Sequence, residues 1–405
     1  MESILEGIRV IDFGLILAGP YACSLLGDMG AEVIKIEEPG VGDPYRGLSH
    51  MQGVPMIMPH GRNATFEDFN HSKKGIALNL KKPEGKEILY ELVEKSDVFV
   101  TNYRQDALER MGLDYATLQK RNPRIIYALA TFMGTRGPER GIPGMDMLAQ
   151  ARSGIMMNSG EEGTPPVLVP NGMVDRLTGM SVANGVVAAL LVRERRGIGQ
   201  MVHCSLLGTM FTAQGVSLGP SLMSGKNASP RTNRRKTRNP LYNYWQCKDG
   251  KWVTVPLWQY ERYFPPLCEK LGIPELVQDP RFATEAVMVE NGEALFDILE
   301  KAFMAKTARE WQGIMREVDI LVAVVQEYED LIQDPQLIAN DYITTWDHPI
   351  EGPVKYMGFA TEFSQTPLKI SRAAPEVGEH TEEVLQNILG YDWERIGQLH
   401  EDGVF

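Results

Sequence analysis

The chain alternates short apolar runs with stretches in which apolar residues recur every three or four positions. Residues 8–13 (IRVIDF) form such a run, the mark of a strand buried on both faces. A loop over 14–20, a helix over 21–29 and a second run at 31–37 (AEVIKIE) complete a βαβ unit that opens a parallel sheet. Further strand-like runs lie at 74–80, 97–101, 124–130 and 200–206. Pro83 starts a helix at the position where a missing N–H goes unnoticed, and Ile88, Leu89, Leu92 and Val93 give that helix one apolar face. Residues 146–153 read as another helix. Residues 39–69, rich in Gly, Pro, Met and His, read as a long loop, and long loops are often functional.

The strongest pattern spans 169–193, VPNGMVDRLTGMSVANGVVAALLVR. Pro170, Asn171 and Gly172 turn the chain. Leu177, Met180, Val182, Val186, Val187, Leu190 and Leu191 then recur at helical spacing, with Gly, Ala and Ser between them. This predicts a buried helix packed closely on its neighbours. One acid, Asp175, stands in its first turn. It can cap the helix and complement its dipole. It can also be a carboxylate held at a pocket floor, used as base or nucleophile. Taken alone, the local sequence favours the cap.

After an apolar helix to about Leu222 the composition shifts. Residues 224–240 are polar and basic, with Lys226, Arg231, Arg234, Arg235, Lys236 and Arg238, and read as a linker. A hairpin follows, with strands at 242–247 and 251–256 around Lys248-Asp249-Gly250. Helices are predicted over 260–271, 292–304 and 308–318, then a return to the first domain after 321–325. A tail helix over 381–389 has Thr381 as its cap and Glu382 and Glu383 in its first turn. The expected fold is α/β: a Rossmann-like parallel-sheet large domain (1–220), a smaller α+β domain (225–330) and a return segment (331–405) completing the large domain.

A chain of 405 residues exceeds one compact core, which agrees with two domains. The net charge of −12 argues against a nucleic-acid partner. The four scattered cysteines form no CxxC pair, so neither zinc nor disulfide chemistry is indicated and a reducing cytoplasm fits. The start shows no signal-peptide pattern, and no apolar run reaches membrane-spanning length. The loop GLILAGP lacks GxGxxG, which weakens a nicotinamide-binding reading, and a serine hydrolase would need a GxSxG elbow.

Several blocks, taken in order, resemble the class III CoA-transferases, the CaiB/BaiF-like group of formyl-CoA, carnitine and aryl-lactate CoA-transferases. These are LEGIRVIDFG, AGPYACSLLGDMGAEVIKIEEPGVGDPYRG, NLKKPEGKEIL, DVFVTNYRQDALERMGLDY and PEVGEHTEEVLQNILGY. The resemblance covers nearly the whole chain. It implies an interlocked homodimer with active sites between large and small domains. It also implies transfer of CoA from an acyl-CoA to a small free carboxylic acid. Asp175 matches the catalytic aspartate, which forms first a mixed anhydride and then an aspartyl-CoA thioester. The CoA thioester is a substrate; no metal and no permanently bound cofactor is implied. CoA contacts carry over onto Ile16, Leu17, Ala18, Leu78, Lys81, Asn102, Tyr103, Arg110 and Met111. Lys81 and Arg110 suit phosphates, although without the resemblance such residues read first as plain surface charge. Asp146 matches an acid near the nucleophile, or else caps its own helix. A helix terminus is expected to keep Asp175 ionised.

The chain also departs from its relatives. A glycine run found in the formyl type is replaced here by VPLWQYERYF, which puts formyl and oxalate specificity in doubt. Trp258, Tyr260 and Tyr263 there, with the Met-rich loop 51–58, point to a larger apolar acyl pocket, or to ordinary packing. The acid expected is medium-sized, aromatic or hydroxylated. Glu38 stands where some relatives carry a basic residue, a loss that the basic loop 231–238 could offset. Racemases of the superfamily pair the aspartate with a histidine just before the acid at the Asp146 position. Here that residue is Met145, whose thioether takes no proton, so an α-methylacyl-CoA racemase ranks below a transferase. A non-catalytic CoA-binding protein is the remaining alternative.

Overall fold

In the computed structural model, which describes residues 3–51 and 53–405, six of the apolar runs pair into one parallel sheet. Its strands are β1 (Arg9–Phe13), β2 (Glu32–Glu37), β3 (Lys73–Ala77), β4 (Val98–Thr101), β5 (Ile126–Thr131) and β6 (Met201–Ser205). They lie in the order β3-β2-β1-β4-β5-β6. Register follows the apolar residues, with Val10 opposite Val33 on one side and Val98 on the other. One face buries Ile11, Ile34, Phe99 and Tyr127 under the helix Pro83–Glu94 and the C-terminal helices. The other buries Val10, Val33, Val98 and Ala128 under α1 (Ala18–Asp28) and α3 (Met173–Arg196); the helix α2 (Asp146–Ser153) adds Ala149 to that cluster.

The chain divides into two units. The first holds residues 1–157, 167–228 and 340–405; the second holds 158–166 and 229–339. The chain therefore returns to the first unit at 340, later than the 331 read from the sequence. The returning segment is tied to β3. His380 N–H donates to Gly75 O at 2.8 Å, and Thr381 Oγ1 accepts the Ala77 N–H at 3.0 Å. Thr381 is thus not the helix cap: the helix Thr381–Asn387 has His380 in that place, and the threonine hydroxyl donates to Gly378 O.

The second unit has an antiparallel sheet of Tyr242–Gln246, Trp252–Pro256 and Ala323–Val325, with Trp252–Pro256 central. Helices Tyr260–Leu271, Gly292–Phe303 and Ala308–Arg316 bury Trp245, Phe264, Phe303 and Trp311 with it.

Three further sequence expectations change. The helix expected at 21 starts at Ala18. Residues 39–69 are not one loop: they hold a 3₁₀ turn (Pro44–Gly47), two paired two-residue strands and most of the helix Ala64–Asn70. Finally, α3 is long and apolar enough to cross a membrane by length and composition, the one such helix among the described residues. It packs against α1, β5 and β6. Glycines allow the approach: a Cβ on Gly179 would stand 2.8 Å from Tyr21 Cδ1 and 3.0 Å from Ala18 O.

Candidate active site

The sheet reverses its strand order between β1 and β4, and such sheets hold ligands in the crevice beyond the carboxyl ends of the strands at that point. Asn102, just after β4, grips the loop that follows β1. Its Oδ1 accepts the Leu15 N–H at 2.9 Å and its Nδ2 donates to Leu15 O at 2.7 Å. The next residue, Ile16, has φ +67°, an outlying backbone conformation for a β-branched side chain. Its N–H donates to Asp43 Oδ2 at 3.0 Å, an oxygen that also takes the buried Lys35 ammonium at 3.2 Å. Lys35 donates in turn to Gly14 O, and Asp43 Oδ1 accepts the Tyr45 N–H. Strain of about 1–3 kcal/mol at such a residue persists only where the surroundings over-determine it, as these bonds do.

This loop reaches the mouth of α3. Leu17 Cδ1 lies 3.6 Å from the place of a Cβ on Gly172, whose φ of +81° turns the chain into the helix. Asp175 is the third residue of α3 and is partly buried. It is not a cap: no hydrogen bond or ion pair reaches its carboxyl among the described residues. The cap comes from α2. Asp146 Oδ2 accepts the N–H groups of Val174 at 2.8 Å and Asp175 at 3.3 Å. Asp146 Oδ1 accepts from Gln150 Nε2 at 2.6 Å, and the same amide exchanges two bonds with the Val169 backbone. Asp146 thus caps a helix, but α3 rather than its own.

The expectation that the helix terminus keeps Asp175 ionised changes accordingly. The first-turn donors serve Asp146. Burial, then the charge of Asp146, push the Asp175 carboxyl up to about 7. Arg176 beside it pairs with Asp68 and lies over the Tyr21 and Phe69 rings, which holds the first turn of α3 to the neighbouring helices.

The residues expected to contact CoA differ in what they can offer a ligand. Ala18 and Leu78 are core residues, able to offer backbone only, and Leu17 is buried while Ile16 is exposed. Asn102 is spent on Leu15, and Tyr103 stacks on Phe13 at 4.8 Å. Lys81 and Arg110 are exposed and paired: Lys81 with Glu38 at 2.7 Å, Arg110 with Asp106 at 2.9 Å. Met111 packs at the edge of the core. Beyond the carboxyl ends of β4 and β5 opens a cleft of about 360 Å³, lined among others by Asn102, Tyr103, Arg104, Thr131 and Arg140.

Within the second unit, Trp258 is exposed and meets Tyr242. Tyr260 is a packing residue: it is buried, stacked on Phe264, and its hydroxyl donates to Phe282 O. Of the two readings of this stretch, an acyl pocket or ordinary packing, these contacts are those of packing. The basic loop is engaged within its own unit. Arg235 pairs with Glu293 and Asp297, Arg234 with Glu300, and Arg231 donates to the carbonyls of Thr164 and Pro165. Sequence reasoning passed over Asp43, Tyr45 and Gln150. Only Gln150 had a local signal, its spacing of four from Asp146 on one helix.

A doubly wound parallel sheet with an unpaired carboxyl at the mouth of a helix packed on it belongs to the α/β class, in which ligands bind beyond the carboxyl ends of the strands. A family model described as CoA-transferase family III matches residues 5–381, and the chain belongs to that family. It is 34% identical over 404 residues to the (R)-2-hydroxy-4-methylpentanoate CoA-transferase of Clostridioides difficile, covering 99% of both chains. It is 33% identical to the cinnamoyl-CoA:phenyllactate CoA-transferase of Clostridium sporogenes, covering 99% of this chain and 97% of that one. A CAIB/BAIF family protein from Brucella suis superposes with a TM-score of 0.84 at 28% identity, over 96% of this chain and all of that one.

Proposed function

We propose that this enzyme moves CoA from an acyl-CoA to a free 2-hydroxy acid with an apolar side chain, using Asp175 as its nucleophile. The carrying observation is the Asp175 carboxyl: its backbone N–H is held by Asp146, its side chain has no hydrogen bond or ion pair among the described residues, and it lies in the first turn of α3, at whose mouth Gly172 meets Leu17. The two relatives named above act on 2-hydroxy acids, which supports the substrate class.

In this reading an Asp175 oxygen attacks the thioester carbon. The C–S bond breaks, CoA leaves as thiolate, and a mixed anhydride remains. The thiolate attacks Cγ of Asp175, which releases the donor carboxylate and leaves an aspartyl-CoA thioester. The acceptor carboxylate then attacks Cγ and expels the thiolate, and the thiolate takes the acceptor acyl group from the new anhydride. Asp175 is regenerated and no proton is consumed. One nucleophile divides a difficult exchange into easier steps. Burial of Asp175 supports the exclusion of water, which would hydrolyse the anhydride.

CoA belongs in the crevice, against Ile16–Ala18, Asn102, Tyr103 and Met111, with Lys81 and Arg110 exchanging their acidic partners for phosphates. A homodimer of interlocked chains and a cytoplasmic setting, in keeping with four free cysteines, belong to the same reading. The test is a panel of acyl-CoA donors and acids, followed by hydroxylamine and mass spectrometry. A hydroxamate at Asp175 is expected; robust turnover that never labels Asp175 rules the route out. The racemase alternative would instead show α-proton exchange in deuterated water without an acceptor acid.

A further inference from the structure

One largely buried tyrosine has no adequate acceptor for its hydroxyl. Tyr45 sits in the turn Pro44–Gly47, its N–H held by Asp43, the carboxylate that also holds Ile16. Its side chain is 8% exposed and clusters with Leu17, Tyr21, Phe66 and Phe69, while Leu48 and Met51 pack at the edge. Leu17 in that cluster is the side chain that touches Gly172 at the mouth of α3. Buried tyrosine hydroxyls normally find a good partner. Among the described residues this one meets only the Met51 thioether, at 3.9 Å, a weak acceptor. Burial, then the charges of Asp175, Asp43 and Asp146, push the phenol up to about 12. It therefore stays a donor at any working pH and lies within the field of the nucleophile. A ligand that fits these surroundings is apolar, with one acceptor oxygen for the phenol.

We propose that Tyr45 is a specificity residue, whose hydroxyl donates a hydrogen bond to the C2 oxygen of a 2-hydroxy acid joined through its carboxyl group to Asp175. The apolar remainder of the acid lies toward Leu48 and Met51. This rests on the CoA-transfer reading above and adds the group that selects the acceptor. A site built to bond a substrate hydroxyl rejects the analogue that lacks it, because the buried donor is then left unpaired.

The experiment measures kcat/KM for CoA transfer to two matched pairs, 2-hydroxy-4-methylpentanoate with 4-methylpentanoate and phenyllactate with 3-phenylpropanoate. Wild-type enzyme and Tyr45→Phe are compared, with thermal melts of both. Wild type is expected to prefer the hydroxy acids by roughly tenfold to a hundredfold, the worth of about 1–3 kcal/mol. Tyr45→Phe is expected to melt with wild type, to lose most of that preference through the hydroxy acids, and to leave the deoxy acids within about threefold. Equal losses on both members of a pair place Tyr45 on the shared reacting oxygen or in a packing role, and overturn the inference while the transferase reading stands. A wild-type enzyme indifferent to the hydroxyl does the same, whether or not the variant folds. An enzyme that labels no Asp175 and transfers CoA to none of the four acids overturns both.

Discussion

Burial and the charge of Asp146 together hold the Asp175 carboxyl at about 7. The nucleophile must be ionised to attack. kcat/KM is therefore expected to climb with pH through about 7 and to level off above it. Asp146→Asn removes the second cause of the shift and keeps an acceptor oxygen for the cap on α3. The limb should move to lower pH. A pH–rate profile that does not move would remove Asp146 from the account. Stability runs the opposite way. The folded carboxyl holds its proton up to about 7, whereas the unfolded chain releases it near the ordinary 3.8. Between those values the native state binds the extra proton, so stability falls as pH rises and flattens above 7. Asp175→Asn should abolish transfer, by roughly 10⁴-fold or more. It should also gain on wild type in urea melts at pH 8 and lose that advantage near pH 4. The sequence showed an acid at a helix mouth but not this titration. Its causes are burial first and then a carboxylate 29 positions away on another helix, and no local pattern encodes either.

The elements were legible where burial imposes a period, and blurred where a few contacts decide. The six sheet strands follow from apolar runs buried on both faces. The start of α1 was misplaced because Gly19-Pro20 reads as loop, yet a proline in the first turn forfeits no helical bond. The helix Ala64–Asn70 was hidden in a Gly- and Pro-rich stretch, although Asn63 caps it through the Phe66 N–H. Nothing in GLILAGP announced that Ile16 would be left-handed. That conformation is enforced from Asn102 and Asp43, far along the chain. Asn102→Ala loses both bonds to Leu15, a cost of roughly 1–3 kcal/mol. It should raise the dissociation constant of CoA more than it lowers kcat, read by calorimetric titration. Ile16→Gly should by contrast stay near wild-type stability, because glycine adopts φ +67° without strain. Helix contact offers a second test at this scale. Gly179→Ala would drive a methyl to 2.8 Å from Tyr21 Cδ1 and 3.0 Å from Ala18 O. Unless α1 and α3 separate, the clash costs about 1–3 kcal/mol, visible as a lower urea midpoint.

At the scale of the molecule, one helix is hard to explain in a lone chain. The segment Gly215–Ser224 is mostly apolar, yet none of its residues is buried. Val216 is 95% exposed, Met223 91% and Leu222 61%. Apolar side chains gathered on one exposed helix are what interaction surfaces are made of. The proposed homodimer would give them a cover, a part of the picture that neither periodicity nor composition could supply, since the covering surface would lie on another copy. If two chains interlock there, folding and assembly are one equilibrium. The melting temperature of the wild-type protein should then rise with protein concentration, and light scattering should report twice the mass of 45.3 kDa. The double variant Val216→Asp, Met223→Asp sets unpaired charge in that contact. It should yield monomer or aggregate, with melting independent of concentration in whatever monomer survives. A wild-type protein that scatters as a monomer while transferring CoA at full rate would remove the interlocked dimer and leave the apolar helix in search of another cover.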